Sequence, residues 1–144
     1  MTFDPGAFLN AVVALLPTAE GVQEASKGIP ENFGSQVATY AALGSITPLD
    51  EASGYLLLFQ IQVVAGFAYA VQLAEATAED TLVAFVEDFT RKFYADRTLG
   101  GAIENGQLDF SLNNVTDYRP VVGVEFRHYI ITIHGDQRET IRSV

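Results

Sequence analysis

The sequence predicts an α+β domain in which helices pack on one mostly antiparallel sheet, in the order α-β-β-β-α-β-β. Between Tyr55 and Val64, apolar residues rich in aromatic and β-branched types recur with the period of a strand. Between Leu82 and Phe93 they recur with the period of an α-helix. Shorter blocks of both kinds, separated by Gly, Pro and Asn, supply the rest of the order. A chain of 144 residues is long enough to bury a core of its own. Residues 1–144 therefore read as a single domain.

The first helix is expected from about Asp4 to Leu16, with Asp4 as cap, Pro5 in the first turn and Pro17 as the stop. Phe8, Leu9, Val12, Val13, Leu15 and Leu16 make it apolar around much of its circumference, so it must bury widely. Weaker strands follow at about Val22 to Lys27 and Gln36 to Leu43, separated by the turn-rich GIPENFGS. The segment GSITPLDEAS then reads as a polar loop.

The next strand is unusually long. Fully extended, residues 55 to 71 would reach roughly 55 Å at about 3.3 Å each, beyond the usual strand length. Gly66 is accordingly expected to mark a bulge or bend. The stretch from 54 to 74 carries no charge and would span a bilayer if helical. Its two-residue alternation, with Gln60 and Gln62 on one face and no flanking Lys or Arg, makes it a strand instead. Its apolar surface exceeds what one helix layer covers, so part of it is expected at a subunit interface.

The main helix is expected to start at Thr77, which makes a capping box with Asp80. Its buried stripe reads Leu82, Val86, Phe89 and Phe93. Glu87 with Arg91 and Asp88 with Lys92 are i,i+4 pairs on its outer face. It ends near Tyr94, and Gly100 or Gly101 is expected at positive φ, turning the chain back. Two more strands follow, about Ala102 to Leu112 and Val122 to Ile133, joined by NNVTDYRP. In the last, Val124, Phe126 and Ile130 share one parity and Tyr129, Ile131 and Ile133 the other, which implies a bulge or cover on both sides.

Composition excludes several function classes. Eight Lys and Arg against 18 Asp and Glu leave a net charge of −10, and the basic residues are scattered, so tight phosphate-backbone binding is not expected. With no cysteine there is no disulfide, thiolate nucleophile or cysteine metal site. The apolar start has no preceding basic residue and carries Asp4, unlike a secretory signal. Without such a signal, the sequon at Asn114 to Thr116 reads as coincidence.

Catalytic chemistry finds little purchase. The only histidines, His128 and His134, share a strand face but lie about 20 Å apart at ~3.3 Å per residue, too far to share a metal. His134, Gly135 and Asp136 look like a strand running into a turn. Phosphate loops, dinucleotide fingerprints, zinc-protease signatures and nucleophile motifs are all missing. The adjacent acids Asp50 and Glu51, or Glu87 and Asp88, point apart on a strand or helix rather than forming a catalytic pair. The residues therefore point to no enzyme, no cofactor and no metal.

One stretch carries a family resemblance. FYADRTLGGAIENG, through Phe93, Asp96, Thr98, Leu99, Gly100 and Gly101, resembles the tail terminator (tail completion) proteins of long-tailed bacteriophages and related tail-like particles. There, too, a helix runs into a D-x-T-L-G-G turn and then a strand. Residues 78 to 134 take part in the resemblance, and the first 75 agree in element order alone. It implies a virion structural protein, assembled in the host cytoplasm and placed at the neck region of the tail. Its copies form a homo-oligomeric ring, generally a hexamer, that caps the head-proximal end of the tail tube, ends tube polymerisation and joins the tail to the neck. Its partners would be the tail tube protein and a neck or head-completion protein, with genomic DNA crossing the lumen without tight binding. The loops around Asp50, Glu51, Asp117, Tyr118 and Arg119 flank the strongest strands and are the candidate contacts to tube or neck, Arg119 foremost. The neighbouring readings are a tail tube subunit or a head–tail connector. A reading of another class is a small-ligand binding domain whose apolar strand lines a pocket.

Overall fold

Asp4 starts the first helix as its cap, accepting the Ala7 N–H through its side chain, while Pro5 occupies the first turn. Helix α1 spans Pro5–Leu15 and tightens into a short 3₁₀ turn over Leu16–Thr18, where Pro17 prevents it from continuing. The structure is a computed structural model and describes residues 3–28, 37–50, 56–70, 75–115 and 126–140. The remaining elements are β1 (Glu24–Lys27), β2 (Val37–Asp50), β3 (Leu56–Ala70), α2 (Glu75–Ala95), β4 (Glu104–Val115) and β5 (Phe126–Thr140), which is the expected α-β-β-β-α-β-β order. The strands form one five-stranded sheet in the order β1-β2-β3-β5-β4. Among the described residues only β1 pairs parallel to its neighbour, and the other pairs are antiparallel.

Strand β3 is the sheet's centre, and its alternation decides which face holds the core. Phe59, Ile61, Val63, Ala65, Phe67 and Tyr69 are all buried on one face. Their partners Tyr129, Ile131 and Ile133 on β5 lie on the same side and are buried as well. Phe8, Leu9 and Val12 of α1 and Leu82, Phe85, Phe89 and Phe93 of α2 close over this face. Phe85 stacks on Phe67 at 4.6 Å between ring centroids and on Phe89 at 5.5 Å. Each buried phenylalanine contributes about 1.5–3 kcal/mol by leaving water, so this layer is the main source of cohesion. The core-facing side of β3 is thus covered by helix side chains.

Several expectations need correction. The segment GSITPLDEAS is not a polar loop through Asp50: Ser45 to Asp50 extend β2 as an edge strand beside Gln62 to Leu57. An edge tolerates Pro48 because the missing N–H need not serve a ladder. Gly66 does not bend β3; it stays in unbroken register opposite Tyr40 and Ile130, and the irregularity falls on β2 between Leu43 and Ser45. Likewise β5 does not turn at His134–Asp136 but runs to Thr140, in even register with β3. Gln137 anchors that extension, buried and bonded through its side chain to Asp4 and to the Ala102 carbonyl. The two-parity apolar pattern of β5 therefore needs no bulge against β3.

Helix α2 starts at Glu75, placing Thr77 inside the helix, where its carbonyl accepts the Thr81 hydroxyl at 2.8 Å. Its buried stripe includes Phe85, which was not expected, while Val86 is half-buried. Asp88 and Lys92 do more than decorate the surface. They pair at 3.0 Å, Asp88 accepts the Glu20 N–H at 2.9 Å, and Lys92 donates to the Thr18 carbonyl. Together they fasten α2 to the end of the first helical segment. Among the described residues no helix is long and apolar enough to cross a membrane, and the uncharged stretch forms strand over Leu56–Ala70.

Candidate functional site

The turn after α2 is built by its own side chains. Asp96 accepts the Thr98 hydroxyl on one carboxylate oxygen and the Gly100 N–H on the other, each at 2.8 Å. The Thr98 carbonyl then accepts from both Gly101 and Ile103 N–H at 3.1 Å. Leu99, Gly100 and Gly101 take φ of 48°, 71° and 92° in succession, so both glycines, and not one alone, turn the chain back. Every residue of the D-x-T-L-G-G string thus has a mechanical reason for its type. Leu99 packs against the core edge, and Ile103, two residues past the turn, is fully buried.

The Thr98 hydroxyl, followed by the Gly100 N–H, holds the exposed Asp96 carboxyl below the ordinary carboxylate range. A group depressed by folding stabilises the fold above its unfolded pKa and loses that contribution as pH falls through its folded value. The stability gap between wild type and Asp96→Ala is therefore expected to be widest near neutrality and to shrink in acid. A gap that stays constant down to the acid limit, read by denaturant titration, would speak against this role.

The same segment closes the outer edge of β4. Arg97 donates its Nε–H to the Gly106 carbonyl at 3.0 Å, and the Leu108 N–H donates to the Tyr94 hydroxyl at 3.1 Å. Arg97 also lies over the Tyr94 ring, 5.4 Å from its centroid. These contacts occupy backbone groups that an open edge strand would otherwise present to another chain.

Two concave surfaces flank this structure. A largely apolar, open recess of about 340 Å³ lies between α1 and the end of α2, lined by Ala11, Ala14, Leu15, Thr18, Lys92, Asp96 and Leu99. A polar concavity of about 460 Å³ lies on the helix-free face of the sheet. There Gln62, His134 and Gln107 sit in register across three strands, and Gln60 stands opposite Asp136. Ser45 donates to Gln62 at 3.0 Å and Asn105 to Asp136 at 3.2 Å. His134 is exposed; the side chain of His128 lies outside the described residues. Among the described residues, no group of three or more His, Cys, Asp or Glu gathers to hold a metal.

Of the candidate interface residues, Asp50 ends β2 with its backbone opposite Leu57, and its side chain lies outside the described residues. Glu51, Asp117, Tyr118 and Arg119 lie outside them altogether. On β3, Leu56, Leu57, Leu58 and Val64 are half-buried, and the other apolar side chains described there are buried. Among the described residues, the exposed large apolar side chains are Leu43, Ile46 and Leu49 on β2 with Val83 and Tyr94 on α2. The signal missed in the sequence was the apolar residue at about every third position of a stretch punctuated by Gly and Pro, which reads as a loop until β3 pairs with it. No protein-family model matches this chain, and no curated protein matches it.

Proposed function

We propose that this chain is a tail terminator protein: a virion structural protein whose copies form a ring, hexameric by resemblance, that caps the head-proximal end of a tail tube and joins it to the neck. The observation that carries the reading is the Asp96–Gly101 turn, set between a long helix and an edge strand in the α-β-β-β-α-β-β order that the resemblance implies. Its side-chain and backbone bonds give each motif residue a structural task, as expected of an architectural signature rather than a catalytic one. The net charge of −10 supports passage of DNA through a lumen without adhesion, because like charge opposes contact.

Added to polymerising tail tube subunits, the protein is expected to give tubes capped at one end and of restricted length, seen by negative-stain imaging. Arg119→Glu is expected to impair capping or head joining while leaving the fold intact. Uncapped tubes of unrestricted length with wild-type protein would overturn the terminator reading. Co-polymerisation into the tube wall would replace it with the tube-subunit reading.

A further inference from the structure

We propose that the polar concavity on the helix-free face of the sheet is a binding site for a neutral saccharide. It needs no second copy and does not depend on the ring. Ser45, Gln62, His134 and Gln107 stand opposite one another across β2, β3, β5 and β4. Two residues further along the strands, Thr47, Gln60 and Asp136 form a second row. Residues two apart on a strand share a face, so both rows project from the same side of the sheet. At about 4.8 Å between strands and about 3.3 Å per residue, the longer row runs roughly 14 Å and the two lie about 7 Å apart. The hollow over them has about 460 Å³, within the range of small-ligand sites.

The chemistry of the lining narrows the ligand. Among the described residues that form it there is no Lys or Arg, and Arg138, two residues past Asp136, is engaged by Glu104, so a phosphate or carboxylate finds no cation to hold it. Ile61, the one aliphatic residue of the lining, is buried towards the helices, so an acyl chain or aromatic ring has little to pack on. In a chain with 18 acidic residues a single carboxylate, that of Asp136, lines the hollow, which gives a cation a weak hold as well. Three of the seven glutamines, Gln60, Gln62 and Gln107, gather here instead, so the recognition groups are mostly neutral amides.

An amide carries a donor and an acceptor side by side, the pattern that neighbouring hydroxyls of a sugar offer in return. Two of the groups are already oriented, which lowers the cost of ordering them on binding. Gln62 accepts from Ser45 through its carbonyl oxygen at 3.0 Å, which leaves both hydrogens of its amide nitrogen for a ligand. Asp136 accepts from Asn105 on one oxygen at 3.2 Å and keeps the other as an acceptor. Among the described residues, the side chains of Thr47, Gln60, Gln107 and His134 make no hydrogen bond to protein. A polyol that displaces water from them can restore those bonds one for one.

Titration of the full chain with maltose, lactose and chitobiose tests this, read by the side-chain amide signals in nuclear magnetic resonance. At least one of the three is expected to shift the Asn and Gln side-chain signals saturably at millimolar concentration, and equally at low and high salt because no charge pair is involved. Gln62→Ala is expected to weaken that binding about tenfold, the loss of one or two hydrogen bonds, with an unchanged melting temperature. Should it lower the melting temperature, Gln60→Ala takes its place, since Gln60 is exposed. The matching longer oligosaccharide distinguishes the source: equal affinity assigns a free sugar, higher affinity a polysaccharide chain. No saturable shift with any of the three, or binding that both variants leave unchanged, overturns the site. Stronger binding of a phosphorylated glucose than of glucose itself overturns the neutral class.

Discussion

Phe85→Ala is expected to lower stability by about 3–5 kcal/mol, whereas Val86→Ala one position later is expected to cost only about 1 kcal/mol. Phe85 is fully buried and stacks between Phe67 of β3 and Phe89 of its own helix, so truncation opens a cavity between the two layers. The rigid sheet beneath cannot collapse into that space, because β3 is held by unbroken ladders to β2 and β5 on both sides there. Val86 is half-buried and packs at the margin of the cluster. Urea unfolding with an unchanged slope would measure both. Equal losses from the two variants would mean that α2 is rotated from the face described here.

That pair of positions shows where pattern reading stops. A helix of 3.6 residues per turn is compatible with a stripe through either residue, because spacings of three and four both keep a side chain on one face. What chooses Phe85 is the ring of Phe67 opposite it, a tertiary fact. Strand β3 was legible because strict alternation leaves no such freedom: a slip of one residue would turn every core side chain to the other face. The outer half of β2 was hidden for the opposite reason. Gly44, Ser45 and Pro48 are turn formers in isolation, and only pairing with Leu58 to Gln62 reveals them as a bulged edge strand. The end of β5 was hidden similarly, since His134, Gly135 and Asp136 read as a turn and the buried Gln137 that anchors them has a polar side chain. In the site, the Asp96–Gly101 turn was legible because each bond is local, whereas the apolar recess joins residues of α1 and α2 far apart in sequence.

Gly106→Ala is expected to be among the most damaging single changes near the turn, costing about 3 kcal/mol, the upper part of the range for overpacking. A Cβ at Gly106 would fall on the Arg97 carbonyl oxygen, 2.9 Å from Phe93 Cζ and 3.2 Å from Ile103 Cδ1. Backbone, a buried ring and a buried aliphatic side chain meet there, and none of them yields without moving the end of α2 away from β4. Gly100 and Gly101 differ in kind: a Cβ at either meets nothing within 4 Å, so the penalty comes only from positive φ. That strain is about 1–2 kcal/mol per residue, so replacing both by Val is expected to cost about 2–4 kcal/mol, and a single Ala about 1 kcal/mol after the stiffer unfolded chain offsets part of it. Melting temperatures of Gly106→Ala and Gly101→Ala, compared directly, separate contact from strain. If Gly101→Ala proves the costlier, the turn's conformation and not its packing beneath Arg97 sets the stability of this corner; an unchanged melting temperature with both glycines replaced by Val would remove the turn from the account altogether.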